Sequence, residues 1–533
     1  MKTDIGFPSL GTLAKFLFHG TGLLPEKGAR EESRFSDAER MALQKSLERL
    51  VKEQGYFENN FDDVLAIFRE HIGQIIPSKK VVEVIISTID DIYVQYRHLL
   101  NDEGTYFGQK ETLKWALDTR FLSRLVLSPH KHALRQNLQS ERWLTPDDVF
   151  WYLPSVTENE VVWPLTKVLE WAYQVADTSS THFHYPDKNS DHENVQFQQN
   201  ETNARNWRNG IHMPSWHGLS SNIKQSLDAM ENCTAAHHRS LSSHQEKSIY
   251  TLAFIARFTT YLCQKVEDAY GRDFLIALIE RYKSYSEHLA VDHSIVLKRV
   301  DAQVEKAWRS GTATLDLRDQ LLLQEVPAFW AQVTHEGQYF LERLEVRKAS
   351  EGQYNRAYTE QERGALKLAY GMMLGQWLID SHKIQNQYPA PADFFEELNQ
   401  AERLRKTRDI QKSAIKEFEQ RLKQKSLSTT LGWYANWLYG IMYYRQKAYA
   451  NAHSYYEKAY QQAKYSAGNR QYKLVNEYIE LCAKRKKRKH FEKAVAWAHY
   501  IGMRVRWLES VPPSKEELDV AFNIHQQGFY PQT

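Results

Sequence analysis

Cys233 and His237 stand four positions apart, one helical turn, a spacing that lets a thiolate and an imidazole face the same metal ion. Arg239 and His244 follow at once: a guanidinium can steady charge on a phosphate, and an imidazole can move its proton. Both pairs lie in a histidine-dense stretch. His182, His184, His192, His212, His217, His237, His238 and His244 are eight of the chain's 21 histidines. An even spread would place about two or three there. Each pair also meets a limit. A structural zinc needs four ligands, and no second Cys/His pair of standard spacing accompanies Cys233 and His237. An Arg followed by a His five to seven positions later occurs at Arg124–His130, Arg205–His212, Arg239–His244, Arg281–His288 and Arg485–His490. Composition alone predicts about four such matches, so the spacing selects no nuclease.

Other signatures of chemistry are missing. No glycine-rich phosphate loop, dinucleotide fingerprint or nucleophile elbow occurs. His335-Glu336 continues as Gly-Gln-Tyr, without the second His of a zinc protease. The sequence therefore assigns no catalytic residue, metal, cofactor or small-molecule substrate. Arg239 and His244 stand as candidates for catalysis, and Cys233 and His237 as candidates for metal.

Residues suited to binding are more concentrated. Lys484, Arg485, Lys486, Lys487, Arg488 and Lys489 are six consecutive cations, which repel one another and cannot all be buried. They could hold phosphates, or they could cap the negative end of a helix. A second stretch, Asn203 to Trp216, ends a polar run with Trp207, Gly210 and Pro214. Gly stops a helix in the left-handed conformation and Pro starts the next.

Helices must position all of these. The chain has 533 residues, with 42% hydrophobic and 25% charged side chains, and only 23 Gly and 15 Pro. That is the composition of a soluble, turn-poor globular chain of two to four domains. Val82, Ile85, Ile86, Ile89, Ile92, Tyr93, Tyr96 and Leu100 recur at spacings of three and four, one face of a helix. Ser36–Glu39, Ser243–Glu246, Thr359–Glu362 and Ser514–Glu517 fit the capping box that starts a helix. No alternating strand of useful length occurs, and the expected fold class is all-α and multi-helical, built from antiparallel helix pairs. Residues 177–213 read as a polar, His-rich loop with a helix near its end. They separate an N-terminal helical domain, 1–176, from a central one, 214–390; the two prolines of Asn386–Ala392 mark off a C-terminal one, 391–533.

Charge and cysteine content narrow the setting. Sixty-nine basic residues nearly balance 66 acidic ones, so a nucleic-acid contact requires a local patch. Three cysteines imply a reducing compartment and no disulfide framework. The N-terminus does not read as a signal peptide, and no apolar run is long enough to span a membrane. The expected location is cytoplasmic.

Three resemblances refine this picture. Residues 433–464 resemble a tetratricopeptide repeat, with Gly440 and Ala452 at the small positions, Tyr443, Tyr449 and Tyr456 at bulky ones, and Ala459 closing the second helix. A weaker copy follows with Tyr478, Leu481, Phe491, Ala494 and Ala498, displaced by an insertion around Ser466–Lys473. The resemblance implies a helix-pair solenoid that docks a protein partner, with Tyr443, Tyr449 and Tyr456 as partner-binding residues. Trp207, Gly210, Pro214, Ser215, Leu219 and Ile223 resemble the second half of a Cro/repressor-type helix-turn-helix. On that reading Thr202, Asn203, Arg205 and Asn206 would face base edges or phosphates. A plain helix–Gly–Pro–helix corner accounts for the same spacing. Arg239 to His244 resembles the Arg/His signature of helical ribonucleases of the HEPN type. The sequence thus points first to a non-catalytic helical adaptor with a protein partner and DNA or RNA at its basic patch. A DNA-binding regulator and a ribonuclease are the alternatives.

Overall fold

Apolar residues repeating at three and four positions leave each helix with a stripe that only another helix can cover. The computed structural model describes residues 5–23, 37–138, 144–157, 160–186, 195–232, 240–329 and 387–527, with single positions between 373 and 384. Among the described residues 19 α-helices have both ends described, and a further helical run covers 317–329. The only strands there are a two-stranded ribbon, Ser155–Val156 against Val161–Val162. The protein is all-α and multi-helical.

The first half contains α1 (Leu10–Thr21), α2 (Asp37–Val51), α3 (Phe57–Ile75), α4 (Lys79–Asp102), α5 (Gln109–Ala116) and α6 (Leu122–Arg135). A π turn, Leu117–Phe121, joins the last two into one rod. Trp377 donates its indole N–H to the Thr119 carbonyl there at 2.8 Å. Next come α7 (Pro164–Val175), α8 (Ser180–His184), α9 (Val195–Arg208), α10 (Trp216–Asn232), α11 (Ser243–Tyr270) and α12 (Arg272–Arg309). The C-terminal series is α13 (Phe394–Lys406), α14 (Lys412–Gln424), α15 (Ser428–Arg445), α16 (Tyr449–Ala463), α17 (Tyr472–Lys484), α18 (Arg488–Tyr500) and α19 (Lys515–Gln527).

Several elements differ from the sequence expectation. Residues 177–213, read as a polar loop with a helix near its end, are helical over much of their described length. They contain α8 and α9, which bury Phe183, His184, Asn200, Ala204 and Trp207. Polar composition hid these helices because their few buried groups are partly polar and satisfy one another. His184 is fully buried, and burial holds its pKa at about 3. Its Nδ1 lies 2.7 Å from Asn222 Oδ1 and its Nε2 lies 2.8 Å from the Tyr173 hydroxyl. The capping box of α11 sits one residue earlier than read, at Ser242 and Gln245. That of Ser514 and Glu517 is as read, with bonds of 2.7 and 3.1 Å. The Ser36 and Thr359 boxes lie outside the described residues.

One hydrophobic cluster runs from Phe7 through Trp115, Leu165, Trp207 and Ala253 to Trp437, Tyr478 and Ala521. A second joins α6 and α12 around Val126, Leu289 and Val300. The corner between α16 and α17 ties the N-terminal helices to the C-terminal ones. Here the insertion expected around Ser466–Lys473 folds as a 3-10 turn, Gly468–Gln471. Phe7 N–H donates to the Tyr465 carbonyl at 2.8 Å and Thr105 N–H to the Ser466 carbonyl at 2.8 Å. Gly468 has φ +55, and a Cβ there would meet the Glu103 backbone at 2.7 Å. Lys464, itself buried, makes an ion pair with Glu53. Burial is the largest influence on the Glu53 carboxyl and would raise it, but the Lys464 charge and the hydrogen bonds from Lys464 and Tyr465 together outweigh burial and hold the group below its usual range.

Candidate functional site

The basic run read at 484–489 closes the α17–α18 hairpin. Helix α17 ends because Lys486 takes a left-handed conformation, φ +56. Its N–H bonds the Ala483 carbonyl at 2.9 Å, and the Lys487 N–H bonds the Cys482 carbonyl at 2.8 Å. The preceding hairpin closes in the same way. Lys447 has φ +61; its N–H reaches the Tyr444 carbonyl and that of Ala448 reaches the Tyr443 carbonyl, both at 2.9 Å. Gly or Asn normally fills such a position, because a Cβ there costs about 1–2 kcal/mol. Both turns keep a lysine instead, and both lysines are exposed.

The six cations split into two groups. Lys484 turns inward: its Nζ lies 4.4 Å from the Tyr449 ring centroid and donates to the Tyr444 hydroxyl at 3.3 Å. Arg488 also turns inward, pairing with Glu492 at 2.6 Å and Asp519 at 2.7 Å and covering the Phe522 ring. Both help to hold the fold; Arg488 is neutralised by its two acids, whereas Lys484 keeps its charge but is turned towards the rings. Arg485, Lys486, Lys487 and Lys489 are exposed.

The three tyrosines read as partner-binding divide likewise. Tyr456 is completely buried and donates its hydroxyl to Glu477 at 2.8 Å, so it offers no surface to a partner. Glu477 also accepts from Trp437 Nε1 at 2.8 Å, and burial raises its pKa. Tyr443 stacks on Tyr455 at 5.4 Å, and Tyr449 packs against Tyr444 at 5.2 Å; both are half-buried. The small residue Gly440 faces the Tyr456 ring, where a Cβ would stand 2.7 Å from a ring carbon.

The corner read at 203–216 has the local geometry its glycine required. Helix α9 ends at Gly210, φ +69, whose N–H bonds the Trp207 carbonyl at 3.1 Å. Thr202 and Arg205 are exposed; Asn203 and Asn206 are half-buried. Arg205 pairs with Glu201 one turn earlier at 3.2 Å, and the Thr202 hydroxyl bonds the Gln198 carbonyl at 3.0 Å. Behind the corner stands Arg257 of α11, a buried arginine that sequence reasoning missed. Its Nε donates to the Pro214 carbonyl at 2.6 Å, and its guanidinium also reaches the carbonyls of His19 and Gly20 at the C-terminus of α1. A positive group is favoured at that end of a helix. Nothing in the spacing around Arg257 announces this role.

Catalytic geometry is sparse. His244 lies exposed in the first turn of α11, whereas Cys233, His237 and Arg239 lie outside the described residues. The Arg239–His244 and Cys233–His237 pairs therefore have no described geometry. Among the described residues, no group of three or more His, Cys, Asp or Glu is arranged to hold a metal. Cys482 Sγ lies 3.7 Å from His453 Nε2, but burial pushes the thiol far above its ordinary range. Burial also lowers His453, so the pair is a thiol beside a neutral imidazole rather than an activated nucleophile. No helix among the described residues is long and apolar enough to cross a membrane. Compared with known proteins, the chain matches no family model, no curated protein and no solved structure.

Proposed function

We propose that the protein is a non-catalytic helical adaptor that docks a protein partner through its tetratricopeptide-like C-terminal hairpins. One observation carries this reading. The α15–α16 and α17–α18 hairpins close with the same left-handed lysine turn and follow one another through the chain. Consecutive helix pairs of this kind expose a continuous face, the usual binding surface of stacked repeats. The buried polar groups beneath it, Glu477 above all, are occupied by Trp437 and Tyr456 and serve the fold. Tyr443 and Tyr449 keep partial exposure, and the cations at 485–487 and 489 add a polyanion contact.

Affinity purification of the full chain from its native host, followed by mass spectrometry across several salt concentrations, tests this. A stable protein partner is expected; recovery of the chain alone at every salt concentration would sink the adaptor reading. A second reading, a DNA-binding regulator, is favoured by Thr202 and Arg205 on the exposed side of α9. It predicts that Arg205→Ala relaxes preference for one DNA sequence over others. Equal binding of all sequences by the wild-type chain would exclude it.

A further inference from the structure

The basic turn at 485–489 is one of three. Helix α13 ends in a second, where Lys406 and Arg408 are exposed, and the α15–α16 turn supplies exposed Lys447. Side-chain contacts place these turns side by side. Arg445, at the end of α15, donates to the Arg408 carbonyl at 2.8 Å, which joins the first turn to the second. Lys484, at the end of α17, lies over the Tyr449 ring at the start of α16, which joins the second to the third. Three hairpin turns therefore share one edge of the C-terminal helices. Neighbouring helices pack about 8–10 Å apart, so the edge is roughly 20 Å long.

This edge carries one sign of charge. Within residues 406–411, 446–448 and 485–489 the single carboxylate is Asp409, and it accepts from Gln411 at 2.8 Å. The acids beside it have partners: Arg488 engages Glu492 and Asp519, Arg405 engages Glu402, and His490 lies 3.2 Å from Glu457. Left-handed lysines at two of the turns keep their charge outward despite the backbone cost.

We propose that this three-turn ridge binds double-stranded DNA through its phosphates, without reading bases; the proposal goes beyond the adaptor reading and does not depend on it. Three features select that occupant. No large apolar side chain of the ridge is exposed, so it lacks the anchors that a membrane surface or a peptide ligand would engage. Of its neighbouring rings Tyr444 is buried, Tyr449 lies under Lys484 and Tyr443 is stacked on Tyr455, so little ring face is open to the bases of a single strand. Seven of its exposed groups are cations, which suit phosphate; Thr407 and Gln411 are bonded to the Arg403 carbonyl and to Asp409, which leaves few neutral groups for the 2′-hydroxyl contacts that mark duplex RNA.

Binding of a labelled duplex of scrambled sequence to the full chain, measured by fluorescence anisotropy over a salt series, tests the proposal. The logarithmic salt slope is expected to be about −0.9 per phosphate engaged, between about −3 and −6 in all. Two variants separate the ridge from a single patch. Replacing Arg485, Lys486, Lys487 and Lys489 with Gln should weaken binding about thirtyfold or more and flatten the slope. Lys406→Gln with Arg408→Gln, on the turn farthest from that run, should weaken it about threefold to tenfold. Lys298→Gln, an exposed position on α12 away from the ridge, should change nothing. Circular dichroism and the melting temperature check that each variant folds. The ridge is refuted if the Lys406/Arg408 variant binds as the wild type does, or if duplex DNA fails to bind at low salt. Equal or tighter binding of single-stranded DNA, duplex RNA or polyglutamate refutes the choice of occupant. Loss of a co-purifying protein partner bears only on the adaptor reading.

Discussion

Gly210 and Lys486 both end a helix in the left-handed conformation, yet the two turns face opposite worlds. Gly210 is hemmed in: a Cβ there would meet the Trp163 ring at 2.5 Å, and its carbonyl accepts from Gln264 of α11. Arg257 holds the next residues from behind through the Pro214 carbonyl. Lys486 has solvent on its outer side and basic neighbours at 485, 487 and 489. The same local device thus serves packing in one place and display in the other. What lies behind the turn decides its use, and a motif match cannot see behind itself.

The sharpest way to break this contrast is Arg257→Ala. It leaves two buried carbonyl groups, of Pro214 and Gly20, without this donor and should cost about 3–4 kcal/mol, read as a lower urea midpoint. Arg257→Lys should recover only part, because an ammonium lacks the planar fork. If Arg257→Ala melts with the wild type, the corner is not held as described.

Next in size is a pH effect on the helices under the corner. His184 is neutral in the fold down to about pH 3, whereas the unfolded chain protonates it near its ordinary value of 6.5. The unfolded state therefore binds the extra proton between those values. Stability from this site is complete above pH 6.5 and is lost as pH falls towards 3. Between pH 7 and 4.5 the loss should be about 2–3 kcal/mol, and His184→Gln should flatten that slope. Glu480 acts in the opposite sense. Burial raises it to about 7, so its cost appears as pH climbs from 4.5 through 7.

Smaller effects compare the two turns directly. Gly210→Ala should destabilise by about 2 kcal/mol, since it meets both the positive φ and the Trp163 ring. Lys486→Gly should stabilise by about 0.5–1 kcal/mol, because it relieves the left-handed lysine and removes no buried contact. The same change should weaken duplex binding slightly. A stability gain at 210 or a loss at 486 would reverse the contrast drawn here.

Much of the helical fold was legible because apolar period is a local property. The face of α4 and the capping box at Ser514 are examples, each needing only neighbours within one or two turns. The break at 407–411 between α13 and α14 was not legible, since no Gly or Pro marks it. Helices α8 and α9 were read as mostly loop because His184, Asn200 and Asn222 satisfy one another inside the protein, and a polar side chain looks alike in the sequence wherever it sits.

For the candidate site, the run at 484–489 was visible as charge, but its division was not. Lys484 and Arg488 were drawn inward by Tyr449, Glu492 and Asp519, partners that proximity in the fold supplies. Lys406, Arg408 and Lys447 attracted no notice singly, and they join the ridge only because Arg445 and Lys484 bring separate turns together. Hydrophobic spacing and chain-local hydrogen bonds determined that this protein is a set of helices, and most of where they begin and end. Which charges meet solvent and which are neutralised depends on contacts between residues far apart in the chain, and only the tertiary structure decided it.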